Sequence, residues 1–324
     1  MKDKELIYKP IKEEMANFEP FFRDQLKTTI PLLSIITNYV LRRKGKQMRP
    51  MLVFLSAKLN GPSNKNSYIA ATLIELLHTA TLIHDDVVDE TYQRRGFFSI
   101  NALWKSKIAV LVGDFFLSKG LITALENDQI GILKIVSNAV KEMSEGELLQ
   151  IEKSRFLNIT EELYFEIITK KTATLIAACT AAGAHSVDAD IQSIERMKEF
   201  GTNLGIAFQI RDDLFDYEKT NLIGKPTGND IKEKKITLPL IYTLNSLSTG
   251  ERKALLRKIR KGHKNEIKVA EIIELVKATG GIEYTRQKMV MYQDRALSNL
   301  DDYPDSDAKK ALIALVNYTI NRDK

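Results

Sequence analysis

The segment SYIAATLIELLHTATLIHDDVVDE, residues 67–90, repeats apolar side chains three and four positions apart, the period of a helix. From Leu73 to Ile83 it is apolar nearly all round, as interior helices are. It then closes on Asp85, Asp86 and Asp89. On a helix, Asp85 and Asp89 share a face with Cβ atoms roughly 6 Å apart, where like charges repel. Acids also favour helix starts, because the C-terminal end of the helix dipole is negative. A segment that breaks both preferences needs a cation beside it or full solvation.

The same arrangement recurs in IQSIERMKEFGTNLGIAFQIRDDLFDY, residues 191–217, which closes on Asp212, Asp213 and Asp216. Gln209 lies one turn earlier, so Gln209, Asp212, Asp213 and Asp216 form a stripe at i, i+3, i+4 and i+7. LYFEIITKKTATLIAACTAAG, residues 163–183, has the helical period as well. Capping-box spacing at Asn158 with Glu161 and at Ser248 with Glu251 predicts helix starts. Gly262, the Gly280-Gly281 pair and Pro304 predict stops. No strand alternation, hairpin pair or tandem repeat is evident. The expected fold is all-α, about ten or more helices packed round a central core.

The 324 residues are 44% hydrophobic and 28% charged, with 16 Gly and 8 Pro, an ordinary globular composition. Without a Ser/Gly/Pro-rich linker, one domain over residues 1–324 is the simplest expectation. The single cysteine, Cys179, excludes an internal disulfide and a Cys-rich zinc site, and suits a reducing compartment. The N-terminal MKDKELIYKPIKEE lacks the apolar core of a secretory signal. No run of about 18 uninterrupted apolar residues suggests a spanning helix, so a soluble, cytoplasmic protein is expected. The net charge of +6 favours anionic partners and is too small to indicate nucleic acid. The basic run RKIRKGHK at 257–264 reads as a solvated helix end, ahead of a contact with anionic lipid.

When local electrostatics are violated twice in the same way, a functional site is the expected cause. Clustered carboxylates are hard oxygen donors suited to Mg²⁺, which takes a few carboxylates, waters and substrate phosphate oxygens. Neither cluster has the loop spacing of a calcium-binding EF-hand. Cations accompany them: Arg94 and Arg95 in QRRGFFS, Lys46 and Arg49 in RRKGKQMRP, Lys170 and Lys171 before Thr172, and Lys225, Lys234 and Lys235 in GKPTGNDIKEKK. Several sit in short Gly-containing loops that can approach a ligand closely. Arg suits bidentate phosphate contact and Lys a point-charge contact. Metal plus these cations is what binding two diphosphates requires.

DDVVD followed by RRG, DDLFD, GKQMRP, LLHTATLIHDD, KKTATL and GKPTGNDIKEKK together resemble the trans-isoprenyl diphosphate synthases. The likeness to their long-chain polyprenyl, octaprenyl-type branch spans nearly the whole length, including VGDFFLSKG and MSEGELLQ. The resemblance implies an isoprenoid synthase fold, usually a homodimer, with a cavity between the acidic helices. It implies that Asp85, Asp89 and Asp212 bind Mg²⁺. Asp86, Asp213 and Asp216 would support them, with Asp216 also counted as a ligand. Arg94, Lys171, Lys225 and Lys235 would hold an allylic diphosphate, with Thr172 and Gln209 nearby. Lys46, Arg49, His78 and Arg95 would hold isopentenyl diphosphate. Register with the family favours Lys171 over Lys170 and Lys235 over Lys234. Gln47 departs from the Arg or Lys usual between Lys46 and Arg49, at a position that is not a family ligand.

The implied reaction ionises the allylic C–O bond, adds isopentenyl diphosphate to the cation and loses a proton, the released diphosphate serving as base. Ala80 and Thr81, four and five positions before Asp85, lie one turn deeper on the same helix. Short-chain members of the family commonly carry an aromatic there. Small residues leave room for a tail to extend along Leu77, Leu76 and Leu73. At about 5.4 Å per turn, each open turn admits about one more isoprene unit. The tail's product would touch a membrane, at most, on release. Two other readings stay open. Terpene cyclases have a less symmetric second motif and no need of Lys46, Arg49 and Arg95. A non-catalytic isoprenoid-binding subunit tends to lose acids from one cluster, and both are complete here.

Overall fold

A computed structural model of the chain describes residues 2–42, 45, 47–94, 96–154, 157, 159–218 and 228–321. Among these the regular structure is almost wholly helical. The chain forms two compact units, each assembled from separate stretches of sequence. One comprises 1–140, 178–198 and 303–312, the other 141–177, 199–302 and 313–324.

In the first unit the helix Lys65–Val88 is the central element. It starts where the pattern of small polar residues allows. The Asn64 side chain accepts from the Asn66 N–H at 2.8 Å, and Ser67 completes a capping box. Asn64 Nδ2 also donates to the Ser186 carbonyl at 3.0 Å, which ties the helix start to the 178–198 stretch. Leu76, Ala80 and Ile83 of this helix join Ala109, Val112 and Phe116 of the helix Ile100–Leu125 in one apolar cluster with Leu26, Ile36 and Leu41. Phe116 is fully buried, which stabilises the cluster by roughly 1.5–3 kcal/mol for that side chain. Met48–Asn60 contributes Phe54, edge-on to Phe18 and Tyr68.

One expectation needs correction in this unit, and one helix needs comment. A two-residue antiparallel ladder pairs Gln93 with Phe98 and Arg94 with Phe97; with so few residues it leaves no alternation to read. And Ile100–Leu125 is, by length and composition, apolar enough to cross a membrane. Charges such as Asp114 and Lys119 interrupt its apolar run, and the core helix of a soluble protein passes the same test. Its inner face belongs to the apolar cluster described above.

In the second unit Glu161–Ile168 runs through a π turn, Thr169–Ala173, into Thr174–His185. Thr160 is the N-cap of the first of these, its hydroxyl accepting from the Leu163 N–H at 3.3 Å; Asn158 lies outside the described residues. Helices Leu238–Ser246 and Gly281–Ser298 meet through stacked Tyr242 and Tyr284, 4.4 Å between centroids. The Tyr284 hydroxyl then reaches the Glu161 carboxylate at 2.8 Å. Two of the three stop signals hold: Thr249–Gly262 ends at Gly262, and Gly280 precedes Gly281–Ser298 in a left-handed conformation, φ +82°. That helix ends at Ser298, well before Pro304. The basic run at 257–264 keeps Arg257, Arg260 and Lys261 exposed while Ile259 is buried, as a solvated helix end would.

Ser248 and Glu251 form the reciprocal cap their spacing predicts, with the Ser248 N–H donating to the Glu251 carboxylate at 3.0 Å. Ser248→Ala is expected to cost about 1 kcal/mol, read as a lower urea midpoint at unchanged slope.

Candidate active site

The first acidic cluster ends the helix Lys65–Val88. Asp85 and Asp89 are exposed, whereas Asp86 is buried at 7%. The last turn stays closed, because the Asp89 N–H bonds the Asp85 carbonyl at 2.8 Å and the Thr91 N–H bonds that of Asp86 at 2.9 Å. Arg94 follows in the first strand of the short ladder. Arg95, Lys46 and Lys225 lie outside the described residues.

Deeper in this unit, Arg49 stands in the first turn of Met48–Asn60, its guanidinium 3.8 Å from the Glu75 carboxylate. Glu75 was not among the residues singled out from sequence. Its place, one turn before His78 and within reach of Arg49, makes it a holder of that cation. His78 is half-buried. Its carbonyl accepts from the Thr81 hydroxyl at 2.9 Å, which hides the polar end of Thr81 in the helix. Ala80 and Leu77 are 2% and 1% exposed. Cys179 lies near Arg49 and Glu75; burial, only partly opposed by Arg49, pushes its thiol up to about 12, so it is unreactive at neutral pH.

The second cluster, at the end of Ile191–Phe215, repeats the first in part. Asp212 is half-exposed and Asp213 is buried. Asp213 accepts from the Tyr164 hydroxyl at 2.6 Å on one oxygen and from Gln209 Nε2 at 2.8 Å on the other. Gln209 Oε1 in turn accepts from the Thr172 hydroxyl at 2.8 Å. Burial, and after it the nearby Asp230 carboxylate, raises Asp213 to about 7 against the lowering by Tyr164 and Gln209.

Asp216 departs from the parallel with Asp89. It is buried, and its two carboxylate oxygens accept from the N–H groups of Asn229 and Asp230, both at 2.9 Å. Its carbonyl accepts from the Gly228 N–H at 2.9 Å. Asp216, expected among the metal ligands, gives both carboxylate oxygens to the chain where Asn229–Lys232 begins. Beyond it, Glu218 bridges Arg211 at 2.9 Å and Arg286 at 3.0 Å, a tie that sequence reading did not find.

Lys171 and Thr172 sit in the π turn, whose irregular geometry is frequent at functional sites. Two glycines let neighbouring helices reach it. A Cβ on Gly146 would lie 2.8 Å from Lys170 Cβ and 2.9 Å from the Lys171 nitrogen, and one on Gly205 would lie 2.5 Å from Ala173 Cα. Lys170 turns to Glu142 and Glu145, 3.2 and 2.9 Å away. Lys171 meets Glu147 at 2.5 Å and Gln150 at 2.8 Å. A cavity of about 120 Å³ is lined by Lys171, Thr172, Gln209, Asp213, Tyr164 and Lys235, among others. Burial opposes the Lys235 charge, but the Glu233 carboxylate 2.6 Å away, with Asp230 and Glu147, outweighs it and holds that ammonium above its usual pKa. The cavity therefore presents two cations beside hydrogen-bonding oxygens, a lining suited to a phosphate-bearing ligand.

Among the described residues no three His, Cys, Asp or Glu side chains converge to hold a metal by themselves. Divalent ions that complete their shells with water and substrate oxygens still fit, since Asp85 and Asp89 in one unit, and Asp212 in the other, each keep solvent access.

An all-helical chain with this site is a trans-prenyltransferase of the isoprenoid synthase fold. The chain belongs to the polyprenyl synthetase family, whose pattern matches residues 30–276. It is 33% identical over 321 residues, 98% of each chain, to the all-trans-nonaprenyl-diphosphate synthase (geranyl-diphosphate specific) of Rhodobacter capsulatus. Among solved structures it is similar to a Caulobacter crescentus polyprenyl synthase complexed with calcium and isoprenyl diphosphate. There the identity is 32%, the TM-score 0.88, and the coverage 98% of this chain and 97% of that one. It is likewise similar to a geranylgeranyl pyrophosphate synthase of Bacteroides thetaiotaomicron, at 35% identity and TM-score 0.84, covering 99% and 100%.

Gly205→Ala drives a methyl group into the backbone at Ala173. We expect a loss of about 1–3 kcal/mol in stability, measured by chemical denaturation, together with reduced turnover in the variant that remains folded.

Proposed function

We propose that this enzyme condenses an allylic diphosphate repeatedly with isopentenyl diphosphate to make an all-trans medium- or long-chain polyprenyl diphosphate, for a quinone side chain. One observation carries the reading of the site. In both acidic motifs the first aspartate keeps solvent access at a helix end while the second is buried, and the cations stand in the same two units. Asp85, Asp89 and Asp212 are the residues we assign to Mg²⁺, with Asp86, Asp213 and Asp216 holding the helix ends and the following loop. When bound, the metal supplies positive charge against the diphosphate as the allylic C–O bond breaks.

The chain's own residues do the rest. Lys171 and Lys235, with Arg94 and Lys225, take the leaving diphosphate and stabilise its growing charge in place. Arg49, kept in position by Glu75, joins Lys46, His78 and Arg95 on isopentenyl diphosphate and holds its double bond at contact distance from the cation. Both substrates are diphosphates, which accounts for two sets of cations in one enzyme. The family match runs across both compact units, and this supports one synthase domain over the whole chain. The outward face of Ile100–Leu125 exposes Leu103, Val110, Leu111, Ile122 and Leu125. Such a stripe suits a second copy of the chain, and we assign it to a homodimer working in the cytoplasm, with membrane contact confined to product release.

Product length is the finer question, since the similar proteins include a nonaprenyl and a geranylgeranyl enzyme. Small Ala80 and Thr81 support the longer product. Purified protein with Mg²⁺, labelled isopentenyl diphosphate and farnesyl diphosphate tests the reading. Products longer than twenty carbons are expected; a ladder stopping at twenty carbons favours the geranylgeranyl-type alternative. Asp85→Ala and Asp212→Ala are each expected to lower turnover at least about a hundredfold with the unfolding midpoint retained; near-normal turnover at saturating Mg²⁺ would refute the metal assignment. Ala80→Phe and Thr81→Phe are expected to shorten the product, read by sizing the dephosphorylated chains.

A further inference from the structure

We propose that Tyr164 is a positioning residue for prenyl transfer, acting through a closed ring of hydrogen bonds that sets Thr172 and the π turn carrying Lys171. The inference deepens the proposed function and rests on its assignment of Lys171 and Thr172 to the allylic diphosphate.

Tyr164 lies on Glu161–Ile168, seven residues before Lys171 and continuous with the π turn. Its side chain leaves the helix inward, is 4% exposed, and packs edge-on against Phe165 at 5.4 Å. The hydroxyl donates to Asp213, Gln209 donates to the other Asp213 oxygen, and Thr172 donates to Gln209. From Thr172 the backbone leads back to Tyr164, so the ring closes through three hydrogen bonds and two helical segments. Asp213 sits in the middle as an acceptor shared by two donors, and a buried carboxylate keeps one orientation only while both donors remain.

A π turn is the segment of this ring with least intrinsic regularity. Gly146 and Gly205 confine its backbone by contact, but contact alone leaves the Thr172 hydroxyl and the Lys171 side chain free to rotate. The ring removes that freedom on the Thr172 side, and Glu147 and Gln150 restrain Lys171 on the other. Removing the Tyr164 hydroxyl leaves one Asp213 oxygen buried without its donor. Asp213 then shifts or takes in water, Gln209 follows it, and Thr172 loses the acceptor that orients it. The expected consequence is a poorer grip on the leaving diphosphate, with no effect on how isopentenyl diphosphate binds.

A double-mutant cycle between Tyr164→Phe and Thr172→Val reads this directly, because Asp213 and Gln209 link the two side chains by hydrogen bonds. Each single variant is expected to lower kcat/KM for the allylic diphosphate about tenfold and leave KM for isopentenyl diphosphate unchanged. The double variant is expected to fall little further than either. A roughly hundredfold loss in the double variant, or an unchanged kcat/KM in Tyr164→Phe, overturns the proposal. A purely structural role would lower the unfolding midpoint and spare the kinetics, which overturns it equally. If Tyr164→Phe does not fold, a crystal structure of the unmutated enzyme with a non-hydrolysable allylic diphosphate decides. Tyr164 bonded to Asp213 with Thr172 and Lys171 on the ligand supports it; Tyr164 turned away from Asp213 overturns it. Unmutated protein that condenses no isopentenyl diphosphate at all counts against the proposed function, a result separate from any of these.

Discussion

The C-terminal end of a helix repels negative charge, and this chain places three aspartates at each of two such ends. That constraint shapes both acidic motifs. A carboxylate there can be left to solvent, satisfied by donors from elsewhere in the protein, or neutralised by a cation. Asp85, Asp89 and Asp212 keep solvent access, open to an arriving ion. Asp213 and Asp216 take the second. Hydrogen bonds to a charged acceptor contribute about 1.5–3 kcal/mol each, so two per carboxylate offset part of the cost of burial, which in Asp213 still prevails. The solvent-accessible acids are the ones we assign to a metal, and the buried Asp213 and Asp216 are held by donors from the protein.

Lys171 shows the complementary arrangement among the cations. Its ion pair with Glu147 leaves both side chains more than a third exposed, and such pairs are worth only about 0–1 kcal/mol. A diphosphate bearing several charges displaces that partner readily. The turn beneath it is a different matter, wedged against two glycine-bearing helices and tied into the Asp213 ring. A loosely held charge on a firmly held backbone suits the role we propose for Lys171, gripping a diphosphate and then releasing it.

Much of this was legible in the residues. Apolar periodicity located the long helices, because burying a continuous face dominates their stability. The Ser248 cap and the Gly262 and Gly280 boundaries followed from local chemistry that needs only neighbouring residues. Less was legible where partners come from afar. Tyr164 stands 49 residues from Asp213, and in sequence it is simply an aromatic residue on an apolar helix. Glu75 and Glu147 read as ordinary helical acids until Arg49 and Lys171 are placed beside them. The π turn leaves no periodic mark, since one irregular turn within a long helical stretch shifts the pattern less than ordinary sequence variation does.

The third aspartates make the point most sharply. Asp89 and Asp216 hold the same place in the same five-residue pattern, yet one is open to solvent and the other is enclosed. What separates them is the chain that follows. After Asp89 the backbone turns through Glu90 in a left-handed conformation, φ 49°, towards the short ladder. After Asp216 it returns at Gly228, and the N–H groups of Asn229 and Asp230 close on the carboxylate. A motif specifies which atoms are available, whereas the returning loop decides which of them remain available. The symmetry of the two acidic patterns is therefore a symmetry of composition, and the difference in exposure between Asp89 and Asp216 is set by residues outside both.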